Sequence, residues 1–172
     1  MPDREEHWVR KLFERAIGGF YRVVLSSQGW KVSTGGALAW PIEHRTSGID
    51  LILPSMRTDI VLDQLETGRR VVIDTKFNSI LTTGWYRDES LRSGYLYQIY
   101  AYLRSQVGRG DVLADGAEGL LLHPSIGKSI DEAAVIQGHR LRFMTVDLTA
   151  ETSSIRAELL RAICSPAQDF DS

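Results

Sequence analysis

Apolar residues recur at helical spacing from Asp3 to about Leu25, at Trp8, Leu12, Ala16, Gly19 and Phe20. That spacing predicts a long first helix, and the adjacent glycines Gly18 and Gly19 inside it mark close packing or a kink. A glycine-rich stretch, residues 28–48, follows and holds only short strands. Two strand-like runs come next, residues 58–62 and 70–77, on either side of the turn-like Glu66-Thr67-Gly68. Residues from about 88 to 106 read as a helix with Leu91, Tyr95, Gln98 and Tyr102 on one face. Residues 118–123 have the continuous apolar character of a buried strand, and 133–137 and 139–146 form two more that turn near Gly138. Residues 153–163 make a closing helix with Thr152 or Ser153 as its cap. The order of elements predicts an α/β fold around one central mixed β-sheet flanked by helices. Residues 1–164 read as a single domain, and the polar residues 165–172 as a frayed tail.

Composition narrows the function classes. The chain has 172 residues, 43% of them hydrophobic and 24% charged, which suits one globular domain with its own core. Apolar runs are too short to span a bilayer, and the opening residues are too acidic for a secretory leader. The single cysteine, Cys164, excludes an intrachain disulfide and favours a reducing compartment, so a cytoplasmic protein without membrane contact is expected. Net charge is −2. Sequence-independent DNA affinity rests on phosphate neutralisation, so contact with DNA requires a local basic patch or a partner.

The chemistry concentrates in the hairpin. Side chains alternate faces along a strand, so Asp74 and Lys76 emerge together while Val71, Ile73, Thr75 and Phe77 point the other way. A four-residue loop, 65–68, pairs Gln64 with Arg69 and sets Asp59 opposite Asp74. Directly opposed Cβ atoms lie only about 4.5–5.5 Å apart, and like charges there repel. A divalent cation between the two carboxylates removes that repulsion, and hard oxygen ligands suit Mg²⁺ or Mn²⁺. A three-residue loop shifts the register by one and turns Asp59 away unless a bulge restores it. With the first register, Asp59, Asp74 and the backbone carbonyl of Thr75 hold the ion, and Lys76 orients water or stabilises developing negative charge during phosphodiester hydrolysis. An isolated Asp-x-Lys is common by chance; the strand, hairpin and following helix lend it weight.

Asp59 with Ile73-Asp74-Thr75-Lys76 resembles the PD-(D/E)xK nuclease superfamily, with Thr58 in place of its proline. Leu53-Pro54-Ser55-Met56-Arg57-Thr58-Asp59-Ile60, Leu96-Tyr97-Gln98, Tyr102-Leu103, Glu118-Gly119-Leu120-Leu121-Leu122-His123-Pro124, Ile136-Gln137-Gly138 and Thr145-Val146-Asp147-Leu148 extend this. Together they resemble the C-terminal nuclease domain of McrC, over most of residues 50–163. The resemblance implies a restriction-endonuclease-like fold and a Mg²⁺-dependent endonuclease of a modification-dependent restriction system, defending against foreign DNA. It also implies DNA, including methylated DNA, and a McrB-type AAA+ GTPase as partners. McrC-like proteins engage that motor through a large N-terminal region that this chain is expected to lack.

Further residues follow from the same reading. Gln98 and Tyr102, at i and i+4 on one helix face, give Gln98 a supporting role at the site and Tyr102 a packing role. Glu14 is a candidate for the helical carboxylate that completes the metal shell in many superfamily members, against the ordinary alternative of an exposed helical ion pair. Arg57, Arg87 and Arg92 are candidate DNA contacts, with Arg69, Arg70 and Lys128 as weaker ones. Trp85 and Tyr86 are loop aromatics that stack on DNA or pack half-buried. Gly127-Lys128-Ser129 lacks the upstream glycine of a phosphate loop, position 122 being Leu. The four histidines lack zinc-ligand spacing with Cys164, and no serine-hydrolase elbow occurs. Two rivals stay open: a subunit that docks on and stimulates a GTPase, with cleavage vestigial or conditional, and another nuclease of the superfamily.

Overall fold

A computed structural model describes residues 2–83 and 88–164. Helix α1 is Pro2–Leu25, and strands β1 (Trp30–Thr34), β2 (Ala37–Leu38), β3 (Met56–Arg57), β4 (Ile60–Gln64) and β5 (Arg69–Thr75) follow. Next come β6 (Leu81–Thr82), β7 (Ser90–Leu91), α2 (Ser93–Arg104), the short α3 (Val112–Asp115) and β8 (Glu118–Pro124). The hairpin β9 (Asp131–Ile136) and β10 (His139–Val146) and the helix α4 (Thr152–Cys164) complete it. The expected tail, residues 165–172, lies outside the described residues.

Six strands form one mixed sheet in the order β1-β4-β5-β8-β10-β9, flanked by helices. This α/β arrangement is compatible with a restriction-endonuclease-like fold. β1–β4 and β4–β5 pair antiparallel, while β5–β8 and β8–β10 pair parallel. Parallel strands covered on both faces need apolar residues at consecutive positions, which explains Val71-Val72-Ile73 and Leu120-Leu121-Leu122. Val71, Ile73, Leu120 and Leu122 face α1 and α4 through Phe13, Ile17, Tyr21, Leu159 and Ile163. Val72 and Leu121 face α2 through Ile99 and Leu103. Gln137 and Gly138, at φ 49° and 85°, make the two-residue turn of β9–β10, the left-handed geometry such hairpins require.

Three expectations are corrected. The buried stripe of α1 is Phe13, Ile17, Tyr21 and Leu25, whereas Trp8, Leu12 and Ala16 face outward. Periodicity identified the helix but chose the wrong face, because two apolar stripes compete and only one meets the sheet. The helix predicted from residue 88 begins at Ser93. Arg92 is extended and donates its N–H to Ile80 O, while Ser90 and Leu91 pair with Thr82 and Leu81. α4 begins at Thr152, so the residue ahead of it is Glu151, whose carbonyl accepts from Ser154 N and Ile155 N.

Arginine–carboxylate pairs hold the sheet to its helices. Arg142, 7% exposed, grips Asp131 with two hydrogen bonds of 2.7 and 2.9 Å and donates to Arg161 O and Ala162 O at the end of α4. Arg69 grips Glu118 at 2.5 and 3.1 Å and reaches Ile163 O, and Arg140 joins the same carboxylate at 3.2 Å. Burial pushes the Glu118 and Asp131 carboxyls up, but the guanidinium hydrogen bonds prevail and hold both below their ordinary range.

Two outcomes follow for stability. A Cβ at Gly119 would lie 2.8 Å from Leu141 Cδ2 and 3.0 Å from Ile99 on α2. Gly119→Ala therefore lowers unfolding free energy by about 1–3 kcal/mol in denaturant titration, as overpacking does. Folded-state values of Glu118 and Asp131 below their unfolded ones give stability that is complete above the unfolded carboxylate range and lost as pH falls through the folded values. Between about pH 5 and about pH 3, the Glu118→Gln/Asp131→Asn variant loses less stability than the wild type in thermal melts at each pH.

Candidate active site

The site lies where β4 and β5 meet, at the end of β5 beside α2. The loop 65–68 has the four-residue form: Gln64 pairs with Arg69 and Ile60 with Ile73, so Asp59 stands one step beyond the ladder on the register position opposite Asp74. β4 begins only at Ile60, which leaves the Thr75 N–H without a carbonyl on that side. The Asp59 carboxylate takes that place, its Oδ2 accepting from Thr75 N at 2.8 Å and Thr75 Oγ1 at 2.9 Å. On the opposite side Lys76 N donates to Leu122 O at 3.0 Å, so β5 is clamped to both neighbours at this point.

Asp74 is 1% exposed. Its place on the α2 face follows from Val72 two residues earlier, and Leu121 is its partner on β8. Lys76 Nζ donates to Asp74 Oδ1 at 3.0 Å and lies 2.8 Å from Oδ2, yet Oδ2 has no hydrogen bond of acceptable geometry. Burial pushes the Asp74 carboxyl up to about 6 despite the pull of Lys76, and the negative charges of Asp59 and Glu14 add to the rise. Two side chains of α2 fix the pair. Gln98 Nε2 donates to Tyr102 OH at 2.7 Å and to Asp74 Oδ1 at 3.3 Å. Tyr102, 8% exposed, anchors that amide from the core.

The residues proposed from sequence therefore divide. Asp59, Asp74, Thr75, Lys76 and Gln98 come together. Glu14, near enough to act on Asp74 electrostatically, forms an ion pair with Lys11 at 2.8 Å. Arg57 is exposed and donates to Gly35 O at 3.0 Å. Arg92 donates through Nε to Ser79 O at 2.8 Å, which fastens the start of α2. Arg87, Trp85 and Tyr86 lie outside the described residues. Arg69 and Arg70 are held in ion pairs, and Lys128 pairs with Glu89.

Tyr95 and His123 were not singled out from sequence as site residues. The Lys76 ammonium sits 5.2 Å from the Tyr95 ring centroid, a cation–π contact that holds the lysine in place. His123 is fully buried beside Tyr95, ring centroids 5.8 Å apart, and its Nδ1 is 2.9 Å from Asn78 O. Burial lowers it to about 4, so a neutral imidazole lines the site near neutral pH. Tyr95 lies three residues before Gln98 on the same helix face, a signal that periodicity offers; nothing in the sequence pairs His123 with Lys76.

Two carboxylates, one with a buried oxygen lacking a hydrogen-bond partner, suit a hard divalent cation. Among the described residues no three His, Cys, Asp or Glu side chains gather into a metal cluster. A wider cleft of about 720 Å³ lies in residues 40–53, lined by Trp40, Ile42, Glu43 and His44 among others, and contains none of the site residues. No described helix is long and apolar enough to cross a membrane.

A family model described as McrBC 5-methylcytosine restriction system component matches residues 8–114. No curated protein matches the chain. The match takes in Glu14, Asp59, Asp74, Lys76 and Gln98; it reaches further toward the N-terminus than the resemblance noted from sequence and stops before β8. It covers more than half of the chain, and the protein belongs to the McrBC 5-methylcytosine restriction system component family.

Proposed function

We propose that this chain is the metal-dependent DNA endonuclease of a modification-dependent restriction system. The observation that supports it is the buried Asp74 carboxylate, whose Oδ2 lies 2.8 Å from the Lys76 ammonium without a hydrogen bond, with Asp59 on the neighbouring strand. Asp59, Asp74 and the Thr75 carbonyl would hold Mg²⁺ or Mn²⁺. The few protein ligands leave room for water, as Mg²⁺ prefers. When bound, the ion supplies Lewis acidity toward the phosphoryl oxygen.

The chain's own groups do the rest. Asp74 is held by Gln98, so its oxygens are positioned before substrate arrives. Lys76, kept in place by Asp74 and the Tyr95 ring, presents its ammonium to the negative charge that grows on the phosphoryl oxygens as water attacks phosphorus. Burial at this end of the sheet strengthens that interaction, because a low local dielectric screens it less. Family membership and the near-neutral charge of −2 support work within a complex, with a GTPase motor bringing DNA to the site.

Plasmid cleavage with Mn²⁺, with and without the cognate GTPase, tests the reading. Asp74→Asn abolishes cleavage while melting no lower than wild type at neutral pH, since it removes a buried charge. Wild-type rates in that variant would overturn the assignment. Gln98→Ala slows cleavage by about 10- to 100-fold, the usual cost of losing a residue that orients a ligand.

A further inference from the structure

Two glycines in the middle of α1 have opposite explanations. A Cβ at Gly18 would lie 3.0 Å from Thr34 Cγ2, so close packing on β1 requires it. A Cβ at Gly19 would meet nothing within 4 Å. Glycine inside a helix is less stable than alanine, so the fold alone gives Gly19 no reason. Gly19 instead lines a cleft of about 300 Å³ between α1 and the end of β1, together with Glu14, Arg15, Arg22, Thr34 and Gly35.

The cleft is basic. Arg15 and Arg22 stand four residues before and three after Gly19, on one helix face. Among the described residues neither has a carboxylate partner; Arg22 reaches only Thr34 Oγ1, at 3.4 Å. Glu14, the one acidic residue of the lining, is paired with Lys11 at 2.8 Å, which leaves the two arginines in excess. Arg57 borders the same cleft through its bond to Gly35 O, and the Gly35 N–H donates to Asp59 O at 3.0 Å. The basic cleft therefore adjoins a candidate metal ligand through a single residue.

We infer that this cleft binds a backbone phosphate of the DNA strand next to the one cleaved, with Arg15 and Arg22 as its donors and Gly19 as its open floor. The choice of ligand rests on the nuclease reading above. Guanidinium groups suit phosphate oxygens in geometry and charge. A local pair of this kind answers the difficulty that a chain of net charge −2 poses for DNA binding.

The test is the affinity of the full chain for a fluorescein-labelled duplex in EDTA, where cleavage cannot proceed, across a salt series. Arg15→Gln/Arg22→Gln weakens binding about tenfold or more and lowers the log–log salt slope by about two, equally for methylated and unmethylated duplexes. Gly19→Gln fills the cleft and weakens binding similarly, while its melting temperature equals or exceeds the wild-type value. Wild-type affinity in both variants, or no duplex binding by the wild type, overturns the inference. Manganese-dependent cleavage separates the two readings. Binding through the cleft without cleavage removes the nuclease and leaves the cleft; cleavage with unchanged KM in both variants removes the cleft and leaves the nuclease.

Discussion

The burial of one carboxylate against one ammonium, Asp74 against Lys76, sets the terms for the rest of the site. A charge that deep is costly unless paired, and the pairing here is incomplete: one oxygen lacks a hydrogen bond and the carboxyl sits at about 6. The surrounding fold keeps it there. β5 is clamped between β4 and β8, Gln98 holds the acid from above, and Tyr95 holds the lysine.

The other end of β5 shows how that is achieved. Arg69 and Arg70 leave the same strand toward Glu118, Asp63 and Asp111 in well-formed pairs, and Arg142 ties β9 and β10 to the last turn of α4. Arginine–carboxylate pairs with two hydrogen bonds rigidify one end of the sheet, while the Asp74–Lys76 pair, with one carboxylate oxygen lacking a hydrogen bond, occupies the other. Gly119 adds a steric condition, since α2 can bring Gln98 to Asp74 only if its Ile99 rests on a residue without a side chain.

Charge distribution separates two populations of arginine. Most described arginines near the sheet are bound to carboxylates, whereas among the described residues Arg15, Arg22 and Arg57 gather around Gly35 without such partners. Net charge averages over both populations and hides the local excess. The family match spans the helix that carries Arg15 and Arg22 as well as the hairpin that carries the acids.

Local sequence determined the elements whose signals are local: the first helix, the hairpin with its left-handed Gly68, the consecutive apolar strands, and the sharing of one face by Asp74 and Lys76. It also narrowed the hairpin to two registers. Tertiary structure decided what depends on distant residues. It chose Phe13–Ile17–Tyr21 over Trp8–Leu12–Ala16 as the buried stripe, because only one side of α1 can face the sheet. It chose the register that sets Asp59 opposite Asp74. It brought His123 and Tyr95 to Lys76, and Arg15 and Arg22 to Gly35, across separations in the chain that no periodicity encodes. Periodicity reports which way a side chain leaves its own backbone; which group it meets is fixed by how the elements pack.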